Sequence, residues 1–325
     1  MPRVLLVGLG RWGRQHLRTL VGLGADVYAA DLDAKNLEAA ATVLPPDHLS
    51  EDFRPFLDRV DAVDVVTPAP DHFWICQQAL HAGKDVLVEK PITATLKEAW
   101  ELVEQVRTGD LRLQVGHVFR FHPVYARLKA LVAAGRIGRI RSVAGRFQGL
   151  KRPRLDGGVT ESDAIHFFDL VTDLLGPPRT VTAVLHDFLG RGLDDWGVTV
   201  VEFKGALATV EASYFAPDTR RDLTVIGERG ALVADFAGWT LAVHPGHHRR
   251  HERGWEIEAR PAEIHAVSDR EEPLRRELSA FLEGIETRQP PLVNAEAGYR
   301  ALALAWAAQA ASIEGRRVRL EEMEP

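Results

Sequence analysis

Gly8, Gly10 and Gly13 are spaced Gly-x-Gly-x-x-Gly, directly after the apolar run VLLV and at the opening of an amphipathic stretch. Placed between a strand and a helix, the pattern becomes a dinucleotide-binding fingerprint rather than a scatter of turn glycines. Each glycine matters for want of a side chain. Gly8 allows a tight turn, Gly10 lets backbone approach a pyrophosphate, and Gly13 lets helix and strand pack closely, while the helix N-terminus offers N–H groups and a positive dipole to the phosphates. Arg11 and Trp12 belong to the same loop. Asp31 closes the next β-type run, DVYAA, about twenty residues on, where an acid accepts hydrogen bonds from adenosine ribose hydroxyls. A carboxylate there repels a 2′-phosphate. Leu32 follows it and no Ser-Arg or Thr-Arg pair does, which favours NAD over NADP. A helix N-cap or turn role for Asp31 is the alternative.

The first 120 residues repeat this alternation, with short apolar runs at 4–7, 26–30, 62–67, 85–89 and 113–115 separated by longer amphipathic stretches. VLLV and VDVV read as apolar on both faces, as buried parallel strands do, so the expected fold is α/β, a Rossmann-type doubly wound sheet over residues 1–120. From about 121 the texture changes to longer alternating segments at 139–148, 180–189, 196–203, 206–214, 222–227, 231–234 and 240–243, separated by turn residues such as KGA and GERG. That is the signature of a largely antiparallel sheet, open on one face, in a second α/β domain over 121–325. Helices are expected at 123–134, 163–175, 273–287 and 295–314.

A chain of 325 residues exceeds the single-core limit of about 250–300 residues, in keeping with two domains. Hydrophobic residues at 46% and charged ones at 26% exclude global disorder. The formal charge of −6 makes no basic field, which argues against nucleic acid as a partner. Cys76 is the only cysteine, so no intrachain disulfide forms and a reducing, cytoplasmic setting is expected. Neither the start nor the run at 301–313 has the length of apolar sequence a signal peptide or a membrane span needs, so no membrane association is expected. His247, His248 and His251 stand in HHRRHER without a spaced acid or cysteine, and are expected to form an exposed loop rather than a metal site.

Thr67-Pro68 after the fourth run, His72 in the following helix and Glu89-Lys90-Pro91 after the fifth bring the chain close to a known pattern. With HAGKDVLVEKP, VGHVFRFHP, IGRI, HFFD and the ending EGRRVRL, it resembles the Gfo/Idh/MocA family of nicotinamide oxidoreductases over nearly its whole length. The resemblance implies that Gly8, Gly10, Arg11, Trp12, Gly13, Asp31, Thr67, Pro68, His72, Glu89 and Lys90 line the cofactor, and that Lys90 and His166 face a substrate beside the nicotinamide. The chemistry suits that pair. Oxidising a secondary alcohol needs a base near ambient pH, which His supplies, while Lys can stabilise alkoxide character on the same oxygen. The alternative for His166 is a hydrogen-bonded structural histidine.

Many family members carry Asp four residues before this His, where Ser162 stands here. Asp163, three residues before His166, shares a helix face at α-helical spacing and is the candidate to orient the imidazole or bind substrate. Asp169 matches the family's HxxD pattern and reads equally as a structural helix residue. Arg120 matches the family's Arg-Phe pair, and GHVFRFHP is similar to GHIERFNP in the branch that oxidises nucleotide sugars such as UDP-N-acetylglucosamine at the 3-hydroxyl. Lys151, Arg152 and Arg154 in GLKRPRLDGG suggest a clamp for a substrate phosphate or carboxylate, with a solvated loop or oligomer contact as the alternative. The expected activity is hydride transfer between a sugar secondary hydroxyl and NAD. A redox-neutral glycoside cleavage through transient oxidation, or a dinucleotide-binding sensor without catalysis, are the competing readings. The resemblance further implies a homodimer or homotetramer through the open sheet face.

Overall fold

The computed structural model describes residues 2–107, 109–154 and 157–323. Close packing divides them into two units, one reaching to Phe121 and taking back Glu271–Arg300, the other spanning His122–Arg270 and the segment from Ala301.

In the first unit, β1 (Arg3–Val7), β2 (Asp26–Ala30), β3 (Leu49–Ser50), β4 (Ala62–Val65), β5 (Asp85–Glu89) and β6 (Leu113–Gly116) form one parallel sheet in the order β3-β2-β1-β4-β5-β6. The connections run through α1 (Gly13–Gly22), α2 (Ala34–Ala40), α3 (Ala69–His81) and α4 (Leu96–Arg107). This is the doubly wound order whose strand C-termini hold dinucleotides. Central strands are buried on both faces, as their Val and Leu content requires, and Leu5, Leu6, Leu87 and Val88 are fully enclosed. One residue breaks the apolar reading of VDVV: Asp64 lies on β4 with no exposure at all. Cys76 is equally buried in α3, a core thiol.

The second unit contains α5 (Pro123–Ala133), β7 (Ile140–Gln148), α6 (Ile165–Leu175), β8 (Thr180–His186), β9 (Trp196–Phe203), β10 (Ala206–Ser213), β11 (Arg220–Gly227), β12 (Gly230–Asp235), β13 (Thr240–His251), β14 (Gly254–Ala259) and β15 (Glu263–Ala266). Its sheet runs β14-β13-β12-β11-β7-β10-β9-β8 and ends on β16 (Val318–Arg319), with β15 beside β13. All pairings are antiparallel except β7 with β10, which is parallel. α6 lies on β7 and β10. Gly145 on β7 makes this packing close, since a Cβ there would stand 2.5 Å from the Phe167 ring.

Two expectations change. The stretch 271–300, assigned from sequence to the second domain, packs with the first unit: α7 (Pro273–Thr287) sets Leu274, Leu278, Phe281 and Leu282 into the core that holds Leu17 and Leu20 of α1. α8 (Ala295–Glu314) begins in that stretch. HHRRHER is no loop, because β13 runs through His251 into a hairpin with β14 in which Arg249 pairs with Glu256 and Glu258. Its side chains from Arg249 on are all exposed, as in a strand that has run beyond the core. Among the described residues no helix is long and apolar enough to cross a membrane, and no His, Cys, Asp and Glu group could hold a metal ion.

Candidate active site

The glycine loop shows what each glycine does. Gly8 has φ +99° and a Cβ on it would lie 2.6 Å from the Val66 carbonyl, while one on Gly13 would lie 1.9 Å from the Gly8 carbonyl. Both are demanded by the protein's own backbone. A Cβ on Gly10 would meet nothing within 4 Å, so the space over that residue is open. α1 starts there with no acidic side chain in its first turn and no side-chain cap, which leaves its positive end facing that space. Asp31 Oδ2 accepts the Leu9 N–H at 2.6 Å and the Asn36 amide at 3.2 Å, and Oδ1 accepts the Asp33 N–H. The carboxylate is therefore held against the glycine loop. The N-cap of α2 is Asp33, which accepts from Lys35, so Asp31 is not the cap. An open loop, a helix end and a fixed carboxylate at the second strand fit a dinucleotide with a free ribose diol.

A buried charged group lies directly beneath this loop. The His16 ring on α1 sits 2.8 Å from Asp64 through Nδ1 and 3.4 Å from Glu89 through Nε2. Burial works against its charge, but the Asp64 and Glu89 carboxylates outweigh burial and raise His16 to about 10, so it is an imidazolium. Burial would raise Glu89, yet His16, Lys90 and Trp12 hold it below the usual carboxylate range. Glu89 Oε1 accepts the Trp12 indole N–H at 2.6 Å and Oε2 accepts the Lys90 backbone N–H at 3.1 Å. A Cβ on Gly116, its partner across the sheet, would come within 2.9 Å of this carboxyl group.

His72, expected at the cofactor, bridges two turns: its ring nitrogens lie 2.8 Å from the carbonyls of Thr67 and Pro91. Burial pulls it below the ordinary histidine range. It thus fixes the segment after β4, with Pro68 at the N-cap of α3, against the Glu-Lys-Pro turn that carries Lys90. His117 is fully enclosed, and burial with the nearby Lys90 and Arg120 charges lowers it to about 3, a neutral ring. Arg120 reaches the Leu292 carbonyl at 3.2 Å, and Arg11 is exposed beside the glycine loop.

In the second unit, His166 opens α6 after a single π-helical turn over Thr160–Ala164. Asp194 caps this turn, accepting the Thr160 N–H at 2.9 Å and its hydroxyl at 2.6 Å. Ser162 donates to the Gly158 carbonyl and lies 2.7 Å from the Tyr214 hydroxyl, which places Tyr214 as the donor to Ser162. Asp163 does not continue a regular α-helix to His166, because the wide turn changes the spacing. Its carboxylate pairs with Lys151. The Lys151 ammonium sits 4.6 Å from the Phe147 ring centre and 5.2 Å from that of Tyr214, and burial lowers its pKa against the pull of Asp163. The His166 ring lies nearly parallel to Phe147, 5.8 Å between centres, and Arg221 covers Phe147 at 3.5 Å. Asp169 is fully buried on α6.

Of the three clamp candidates, Lys151 is therefore spent on Asp163, while Arg152 and Arg154 are exposed and the Arg154 carbonyl accepts from Arg191 at 2.6 Å. Leu155 and Asp156 of the same loop lie outside the described residues. Sequence reasoning missed His16, Asp64, Phe147, Tyr214 and Arg221. An acid inside a strand buried on both faces was a readable signal for Asp64, since such a charge must have a partner.

Comparison with known proteins decides the lineage. The model of the oxidoreductase family with an NAD-binding Rossmann fold matches residues 2–117, and that of the Gfo/Idh/MocA C-terminal domain matches residues 125–233. The chain belongs to the Gfo/Idh/MocA family. It is 31% identical over 316 residues to scyllo-inositol 2-dehydrogenase (NAD(+)) of Bacillus subtilis, covering 90% of this chain and 88% of that one. It is 28% identical over 308 residues to UDP-N-acetylglucosamine 3-dehydrogenase of Acidithiobacillus ferrooxidans, covering 93% and 95%. The solved structure of the latter superposes with a TM-score of 0.83 over 95% of this chain and 97% of that one. This Gfo/Idh/MocA protein is accordingly an NAD-using oxidoreductase.

Proposed function

We propose that the protein is an NAD-dependent dehydrogenase of a secondary alcohol in a sugar or cyclitol. The observation that carries the substrate class is the cluster beside His166, where the Asp163–Lys151 ion pair and the Ser162 and Tyr214 hydroxyls gather donors and acceptors next to the ring stacked on Phe147. Several adjacent hydroxyls on a ring need such donors and acceptors at fixed places. The inositol and sugar dehydrogenases among its relatives support this class.

NAD, when bound, supplies the hydride acceptor. The chain's own residues do the rest: the glycine loop and α1 terminus hold the pyrophosphate, and Asp31 holds the ribose diol. His166 takes the hydroxyl proton, and Lys90 donates to that oxygen and stabilises its developing charge. Asp163 with Lys151 holds neighbouring hydroxyls rather than acting as a free acid. A nucleotide-linked aminosugar is the second reading, favoured by exposed Arg152 and Arg154 near the cluster and by the UDP-N-acetylglucosamine 3-dehydrogenase relative. The single, buried cysteine suits a cytoplasmic enzyme.

Initial rates of NADH formation with inositols, neutral sugars, sugar acids and UDP-sugars test both readings. At least one polyhydroxylated ring should reduce NAD. If the nucleotide reading holds, Arg152→Ala with Arg154→Ala raises KM for the UDP-sugar and salt does the same to the wild type. Salt-insensitive turnover of a neutral ring in preference to UDP-sugars removes the nucleotide reading. No reduction with any of them removes both.

A further inference from the structure

His16, Asp64 and Glu89 form a group of mutually paired charges in the first unit that the proposed chemistry does not use, and its burial demands a reason. His16 and Asp64 have no exposure, and Glu89 has 7%. Enclosing an imidazolium between two acids is unfavourable unless the geometry compensates, and burial together with the Glu89 charge pushes Asp64 above the usual carboxylate range. Here two acids share one imidazolium, and the second acid spends its oxygens on two specific donors, the Trp12 indole and the Lys90 backbone N–H. Trp12 is the residue just before Gly13 in the glycine loop, and Lys90 follows β5. Gly116 leaves room for the carboxylate from the neighbouring strand.

We propose that His16 is a positioning residue: held by Asp64 on one side, it keeps Glu89 ionised and immobile on the other, so that one carboxylate ties the glycine loop to the backbone of Lys90. The cofactor loop and the lysine are thereby set by the same buried charge. The groups facing Glu89 are His16 and Trp12 from the first loop and helix, Asp64 from β4, Lys90 beside it, and the neutral rings of His72 and His117. Without the imidazolium Glu89 loses the partner that does most to hold it ionised against burial, and its carboxyl moves up toward protonation. Glu89 then loses the charge that accompanies Lys90, whose ammonium deprotonates at lower pH. The proposal rests on the reading of Lys90 as a group that donates to the reacting oxygen.

The test begins with the wild-type protein labelled with ¹⁵N-histidine, with no cofactor added. One histidine should keep both ring nitrogens protonated at about pH 8, well above the ordinary value of about 6.5. It should disappear in His16→Gln. In steady-state kinetics His16→Gln should lower kcat at least about tenfold, as displacement of a reacting group does, and move the alkaline limb of kcat to lower pH. Affinity for NAD should fall as well, because the glycine loop is held through the same Glu89 carboxylate. Glu89→Gln, which keeps the shape and the acceptor for Trp12, should move the same limb. If His16→Gln alone does not fold, His16→Gln with Asp64→Asn removes one cation and one anion together and carries the same test. A neutral His16 at about pH 8, or variants with the wild-type pH profile, overturn the proposal. Normal turnover by Lys90→Ala at saturating NAD overturns the reading beneath it, and is told apart because it needs no change at His16.

Discussion

Gly8 and Gly13 are glycines because the protein's own backbone leaves no room for a Cβ, whereas Gly10 has open space in front of it. This difference separates folding from binding at single-residue resolution. Gly13→Ala forces its Cβ onto the Gly8 carbonyl and should lower the melting temperature along with NAD affinity. Gly10→Ala should leave the melting temperature within a degree or two, since a surface change away from special features stays within about 0.5 kcal/mol. It should nevertheless weaken NAD binding in calorimetric titration by an order of magnitude or more. Equal NAD affinity in Gly10→Ala would show that the cofactor does not approach this residue. Residues of this kind are legible from spacing alone. His16 and Asp64 are not, because spacing marks only the glycines of the loop and periodicity only the valines of the strand, and a buried pair shows itself only when both members are enclosed.

At the scale of elements, the parallel strands and most helices follow directly from apolar periodicity, since both faces of β1, β4 and β5 are buried. Two elements escaped it. The π-helical turn at Thr160–Ala164 adds width to the start of α6 and has no marker in residue type; what holds it is the distant Asp194 accepting from Thr160. The packing of 271–300 with the first unit also escaped, because α7 is an ordinary amphipathic helix and nothing in its own sequence says which core it covers. The long sheet keeps one face on the helices, and on the other leaves Val184, Val200, Leu207 and Ile226 exposed. Strand register places all four on the same side. Contiguous exposed apolar residues on one face suit a second copy of the chain. Leu207→Asp with Ile226→Asp should therefore convert a dimer or tetramer to monomers in light scattering, with the second unit still folded. A monomeric wild type at micromolar concentration would remove this assembly.

For the whole molecule, two buried histidines shifted in opposite directions each contribute to the pH dependence of stability. His16 is raised to about 10 in the folded chain, so its contribution is complete below the unfolded value of about 6.5 and is lost as pH rises through 10. His117 is lowered to about 3, so its contribution is complete above about 6.5 and is lost as pH falls toward 3. The melting temperature should thus peak near neutrality and fall on both sides, each tenfold difference in proton affinity between folded and unfolded chain being worth at most about 1.4 kcal/mol. His16→Gln should flatten the alkaline side and His117→Gln the acid side, as followed by scanning calorimetry. Slopes that survive in these variants would assign the pH dependence to other groups.

At the centre stands the claim that this chain takes hydride from a carbinol carbon and passes it to NAD, with Lys90 and His166 managing the proton. Its most direct measurement uses the best ring substrate of the panel carrying deuterium on the oxidised carbon, with the recovered NADH analysed by mass spectrometry. The expected result is one deuterium in the NADH, a slowed rate for the labelled substrate, and a loss of two or more orders of magnitude in kcat for Lys90→Ala and for His166→Ala. NADH without deuterium, or undiminished transfer in both variants, would contradict the claim.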